Sequence, residues 1–164
     1  MRSPDSTDTT AISFLSDRFL LLLLFLQSNL MKESKPYNNI LINRLRSLLT
    51  SYDSLKHLEC DGLTQVLHSV LSDEKIEHTV YIGKVIHIPT NYTISIHHWI
   101  EVENLRIDYR LRMWLGEALD VPHGVFYKDS DSSVSYLGEP VDLPLLPLPV
   151  IQLLVKPFDS LFPS

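Results

Sequence analysis

The residues whose types and spacing could do chemistry lie between Glu59 and Asp108. They are the chain's one cysteine, Cys60, the adjacent histidines His97 and His98, and the carboxylate of Asp108. A thiol, an imidazole and a carboxylate are the parts of a nucleophile, its base and the group that orients the base. Cys60 opens a run in which Leu63, Val66, Leu67, Val70 and Leu71 recur at the i, i+3, i+4, i+7, i+8 spacing of one buried helix face. A cysteine at a helix start faces unpaired backbone N–H groups and the positive end of the helix dipole, and both favour the reactive thiolate.

These groups must be positioned by the elements around them. After the charged break Ser72-Asp73-Glu74-Lys75, the segment His78–Ile86 is rich in β-branched and aromatic residues and predicts a strand, as does Thr93–Val102. Glu103-Asn104 makes a two-residue hairpin tip, with Leu105–Tyr109 returning beside it. That tip sets Val102 opposite Leu105 and Trp99 opposite Asp108. Side chains alternate along a strand, so His97, Trp99 and Asp108 share one face, with Asp108 diagonal to His97 and within reach of a charged hydrogen bond. His98 points to the other face. It would be the base only if the register were shifted, and the alternation selects His97.

In order and context, Cys60-Asp61-Gly62-Leu63, His97-His98-Trp99-Ile100-Glu101 and Arg106-Ile107-Asp108-Tyr109 resemble the transglutaminase-like branch of the papain-like cysteine enzymes. There a cysteine opens a helix, a strand reads His-x-Trp-(Val/Ile)-Glu, and an aspartate lies on the next strand. The resemblance covers the middle of the chain. It implies a Cys60-His97-Asp108 triad, acyl transfer through a thioester, and Trp99 as a wall of the site near the thiolate. His98 stands where members often carry a small residue, which keeps His98 in view as a base or pocket residue.

Formal net charge is -6, which argues against a nucleic-acid backbone as partner, since phosphate binding needs concentrated Lys and Arg. One cysteine excludes an internal disulfide and fits a reducing, cytoplasmic setting. None of the seven histidines has a metal-site spacing, His97 and His98 point to opposite faces, and no glycine-rich phosphate loop exists. No metal or cofactor is therefore expected.

The polar residues 1–10 read as a flexible terminus, and residues 11–164 as a single domain. The apolar run Phe19–Leu26 is shorter than a membrane span and lacks the basic start and cleavage pattern of a signal peptide. It reads as a buried helix or a protein-docking helix, with membrane attachment the lesser alternative. Lys35–Asn39 breaks it, and Ile40–Leu49 predicts a second helix. Pro122-His123-Gly124 reads as a loop, with His123 a candidate pocket neighbour, and Asp129–Ser135 as a surface turn. From Pro140 the chain alternates prolines with leucines. Such a segment forms no long helix or central strand and is too apolar for a free tail. It is expected to wrap the domain, with one helical turn near Ile151–Val155, or to offer a docking patch.

The fold class expected is α+β: N-terminal helices and a cysteine-bearing helix packed on an antiparallel sheet. The function expected is thiol-dependent acyl transfer by Cys60, His97 and Asp108, acting on a protein, a peptide or a small amide. Water or an amine would resolve the thioester. Trp99, Tyr52 and His98 are the candidate pocket residues. The Cys60 backbone N–H is one candidate oxyanion donor, with Tyr52, Asn38 or Asn39 as sources of a second. The alternative is a non-catalytic interaction module on the same fold.

Overall fold

A computed structural model describes residues 39–117, 120–130 and 133–155. The chain divides into two compact units, Met1–Leu41 and Ile42–Ser164. The polar terminus, the Phe19–Leu26 run and the end of the proline-rich segment lie outside the described residues. No described helix is long and apolar enough to cross a membrane.

Helix α1 (residues 39–49) buries Ile42, Leu45 and Leu49 of the second unit, one stripe at helical spacing. A 3-10 turn, Thr50–Ser54, and an irregular loop lead into α2, Cys60–Asp73, which buries Leu63, Val66, Leu67 and Leu71. The strands follow: β1 (Thr79–His87), β2 (Tyr92–Val102) and β3 (Leu105–Asp108). Short α3 (Leu111–Leu115) precedes β4 (Gly124–Tyr127) and β5 (Val134–Pro140), and α4 (Leu148–Leu154) comes last. The five strands form one antiparallel sheet in the order β4-β3-β2-β1-β5, and α2 packs on β2.

The β2–β3 hairpin turns at Glu103-Asn104 with Val102 opposite Leu105 and Ile100 opposite Ile107. This is the register the alternation argument needs, and one further step sets Trp99 opposite Asp108. Glu103 takes a φ of 52°, which lets so short a tip reverse the chain. The two outer strands were not legible as strands. The expected loop Pro122-His123-Gly124 runs into β4 at Gly124, and the expected surface turn Asp129–Ser135 into β5 at Val134. Both are edges, which is where short or proline-ended strands are tolerated.

The sheet closes over Trp99. At Gly83 an added Cβ would meet Leu137 O at 2.2 Å, and at Gly138 it would meet Trp99 Cη2 at 2.5 Å. Gly83 and Gly138 face each other across the β1–β5 pair, and the β1–β2 register shifts just after Gly83. Two facing glycines and a bulge let β5 bend down onto the indole.

The proline-rich segment does wrap the domain. Val141 N–H donates to Val80 O, Gln65 Nε2 donates to Pro144 O, and Leu146 N–H donates to Ser69 Oγ. A histidine pair adds to this strap. His78 Nδ1 lies 2.7 Å from Ile76 O, and His68 Nε2 lies 3.1 Å from Leu143 O. Carbonyls only accept, so both outer nitrogens carry protons. The inner nitrogens, His68 Nδ1 and His78 Nε2, stand 2.7 Å apart.

Two outcomes follow from this packing. Gly138→Ala forces β5 off Trp99 and should cost about 1–3 kcal/mol or more in urea denaturation, with loss of the near-UV tryptophan signal. Burial, and secondarily the charge of His68, depresses the His78 pKa below 6.5 against the opposing Ile76 bond. A depressed histidine contributes stability that is present above pH 6.5 and lost as pH falls through its folded value. Proton NMR should find the His78 midpoint below 6.5, moving upward in His68→Gln.

Candidate active site

Cys60 is the first residue of α2 and retains 8 % of its surface. Its N-cap, Glu59, makes no side-chain capping bond, and within the first turn Asp61 Oδ1 accepts the Gly62 N–H at 2.7 Å. His97 lies in the middle of β2 and is completely buried. Its Nε2 sits 2.7 Å from Asp108 Oδ2 at the end of β3.

The Asp108 carboxylate is 3 % exposed and accepts four hydrogen bonds. Oδ2 takes those of His97 Nε2 and of the Tyr136 hydroxyl at 2.9 Å. Oδ1 takes the backbone N–H groups of Arg110 and Leu111 at 2.9 and 3.0 Å, where α3 begins. Burial alone would raise its pKa. The charge and bond of His97, then the Arg110 backbone and Tyr136, instead hold it below 3.8. Neither nearby arginine takes this carboxylate. Arg106 pairs with Glu101 at 2.8 Å, and Arg110 with Asp53 at 3.1 Å.

For His97 the same contest runs the other way. Burial by itself would lower its pKa, but the charge and bond of Asp108 override it, Cys60 adds in the same direction, and the ring is raised to about 10. Nδ1 is buried with no partner at hydrogen-bonding geometry, although the Cys60 thiol is close enough to act on the ring. The structure thus joins His97 to Asp108, with Cys60 among the groups that raise the ring's pKa.

The other candidates fall elsewhere. His98 sits by the first turn of α2, where Thr64 Oγ1 donates to its backbone oxygen at 3.4 Å. Burial lowers its pKa, Asp61 opposes, and the charge of His97 lowers it further. With no bond to Asp108, it lacks the partner that makes His97 basic. Trp99 is 2 % exposed in a core cluster with Val85, Ile94, Leu111, Val121 and Val134. It stacks on Tyr81, meets Tyr136 edge-on, and spends its N–H on Glu101. Expected as a pocket wall, it has almost no surface to offer a substrate and supports the site from beneath. Tyr52 lines a different cavity, of about 420 Å³, with Val70, Leu146, Leu148 and Ile151. That cavity borders the later turns of α2 rather than its start, so Tyr52 is not a neighbour of the sulfur there. His123 binds Asp53 at 3.2 Å and meets Tyr109 edge-on. Asn38 is outside the described residues.

Tyr136 was not singled out by sequence, since it directly follows the Asp129–Ser135 surface turn, and Arg110 was weighed only as an ion-pair partner for Asp108, alongside Arg106. The described residues contain no group of three or more His, Cys, Asp or Glu arranged to hold a metal ion. No family model, curated protein or solved structure matches this chain.

The pair sets a pH dependence. A histidine raised from 6.5 to about 10 contributes stability that is full below pH 6.5 and lost as pH rises through 10. Asp108, lowered from 3.8, contributes stability present above that value and lost as pH falls below it. Urea midpoints should decline from pH 6.5 toward 10, and Asp108→Asn should flatten that limb while costing about 3–5 kcal/mol near neutrality. An unchanged alkaline limb in Asp108→Asn would place the titration on another group.

Proposed function

We propose that this chain is a cysteine-dependent acyl-transfer enzyme of transglutaminase-like type, with Cys60 as nucleophile, His97 as acid and base, and Asp108 as the group that orients and charges the imidazole. One observation carries the reading. A fully buried histidine gives Nε2 to a carboxylate that has no other cationic side-chain partner among the described residues, leaves Nδ1 without a partner, and has Cys60 among the groups that raise its pKa. His123 also pairs Nε2 with an aspartate and leaves Nδ1 buried without a partner, so it is the full burial of His97 and the influence of Cys60 on its ring that set it apart.

The chemistry follows from the charges. Sulfur at a helix start beside an imidazolium is favoured as thiolate. It attacks the carbonyl carbon of an amide or ester, forming a C–S bond, and the Cys60 backbone N–H faces the developing oxyanion. His97 gives its proton to the leaving nitrogen or oxygen as that bond breaks, leaving a thioester. The neutral imidazole then takes a proton from water, which attacks the thioester, and the thiol is released. An amine in place of water makes the same intermediate a transferase. Hydrolysis of a protein, peptide or small amide is the primary reading. The lone thiol needs no partner cysteine and would work in a reducing compartment.

A second reading has its own observation. Leu145, Leu148, Leu153 and Val150 are exposed on the strap and α4, an apolar surface suited to a protein partner. Light scattering behind size exclusion tests it, since a purely monomeric chain at high concentration leaves that surface without self-association.

Iodoacetamide, small enough for a largely buried thiol, should label wild-type protein at a single site that is lost in Cys60→Ala. The labelling rate should stay high well below the pH at which a free thiol ionises, and His97→Gln should lower it at neutral pH about tenfold or more. A rate that simply follows an ordinary thiol, indifferent to His97, would remove the chemistry.

A further inference from the structure

Arg110 is 1 % exposed, and a buried guanidinium needs a reason. Its Nε donates to Leu58 O at 2.7 Å and its Nη2 to Leu55 O at 2.7 Å. Its Nη1 donates to Tyr109 O at 2.8 Å and to Asp53 Oδ1 at 3.1 Å. Its backbone N–H meanwhile binds Asp108 Oδ1. One residue therefore holds the loop that runs into Cys60 and, through its own main chain, the carboxylate behind His97.

The loop is otherwise anchored by the burial of Leu55. Leu55 to Glu59 is neither helix nor strand, and its internal bonds are short-range ones such as Leu58 N–H to Leu55 O. Leu58 is two residues before the sulfur. A shift of that loop moves the first turn of α2 relative to β2 and β3, and a displacement of an ångström is enough to spoil a nucleophile.

We infer that Arg110 is the positioning residue of this site, its guanidinium setting the Leu55–Leu58 loop, and hence the Cys60 sulfur, in register with the His97–Asp108 pair. The inference rests on the acyl-transfer reading above. The role is geometric rather than electrostatic. The charge of Arg110 is matched by Asp53, and what Arg110 lends Asp108 is a backbone N–H. A lysine would keep the charge but cannot span two carbonyls and a carboxylate with a planar fork.

The test follows the rate of Cys60 alkylation by iodoacetamide across pH, at a temperature where every variant is folded by circular dichroism. Wild type and His97→Gln come first, and a rate indifferent to His97 overturns the acyl-transfer reading and this inference together, before any Arg110 variant is made. With that dependence present, Arg110→Lys should lower the plateau rate about tenfold or more while leaving the midpoint pH in place. Ile151→Ala, a core truncation on α4 far along the chain from the loop, should lower the melting temperature yet keep the wild-type plateau. Asp53→Asn, which frees one end of the clamp, should give a smaller drop and serves if Arg110→Lys does not fold. A folded Arg110→Lys, or in its absence a folded Asp53→Asn, reacting at the wild-type plateau overturns the inference. So does an equal plateau loss in Ile151→Ala, which would make the effect one of general stability.

Discussion

The constraint on which the rest depends is the burial of one carboxylate. A charged Asp108 out of water is several kcal/mol unfavourable unless every lone pair is met. Its four donors come from three places: the middle of β2, the turn into α3, and Tyr136 on the far edge strand β5. Satisfying them requires those elements to converge at once. In a flat sheet β3 and β5 stand three strand spacings apart, about 14 Å, more than an aspartate and a tyrosine reach together. The bond between them is therefore a measure of curvature. The facing glycines, the irregularity after Gly83 and the indole beneath Gly138 are the means by which the sheet curls far enough. Trp99 serves the site this way, as the body around which the sheet closes.

What was legible in the sequence was whatever local period determines. The α2 stripe, the Glu103-Asn104 tip and the alternation that puts His97 and Asp108 on one face are all set within a few residues, and the structure has them as read. Proline chemistry announced the strap because a missing N–H and a fixed φ are properties of the residue itself. The parts that were not legible depend on distant partners. Gly124–Tyr127 pairs at an edge with β3, and Val134–Pro140 at an edge with β1, and neither carries a strong pattern of its own. Tyr52 precedes Cys60 by only eight positions along the chain, yet the 3-10 turn at Thr50–Ser54 sends it toward the other end of α2. The clamp made by Arg110 was not legible because nothing local shows that two carbonyls from far upstream will arrive at its guanidinium.

The allocation of charges follows from the same geometry. Two arginines flank Asp108 in sequence, and either could have neutralised it. Arg106 stands directly opposite Glu101 across the hairpin and is held by that acid and by the face of Tyr136, 3.9 Å from its guanidinium carbon. Arg110 turns toward the upstream loop and Asp53. Each arginine side chain is bound to an acid other than Asp108, so the field of Asp108 is left to the imidazole.

That allocation decides what the sulfur meets. Had an arginine taken Asp108, the desolvation of a fully buried ring would have prevailed and His97 would stand neutral, an acceptor with nothing to donate. With the carboxylate undivided, the ring holds its proton up to about pH 10, and Nδ1 is left buried without a partner. On the proposed reading, that cation is what would stabilise negative charge on the Cys60 sulfur at the start of α2. The fold keeps competing cations away from one aspartate, and the reactivity proposed for the cysteine follows from that separation.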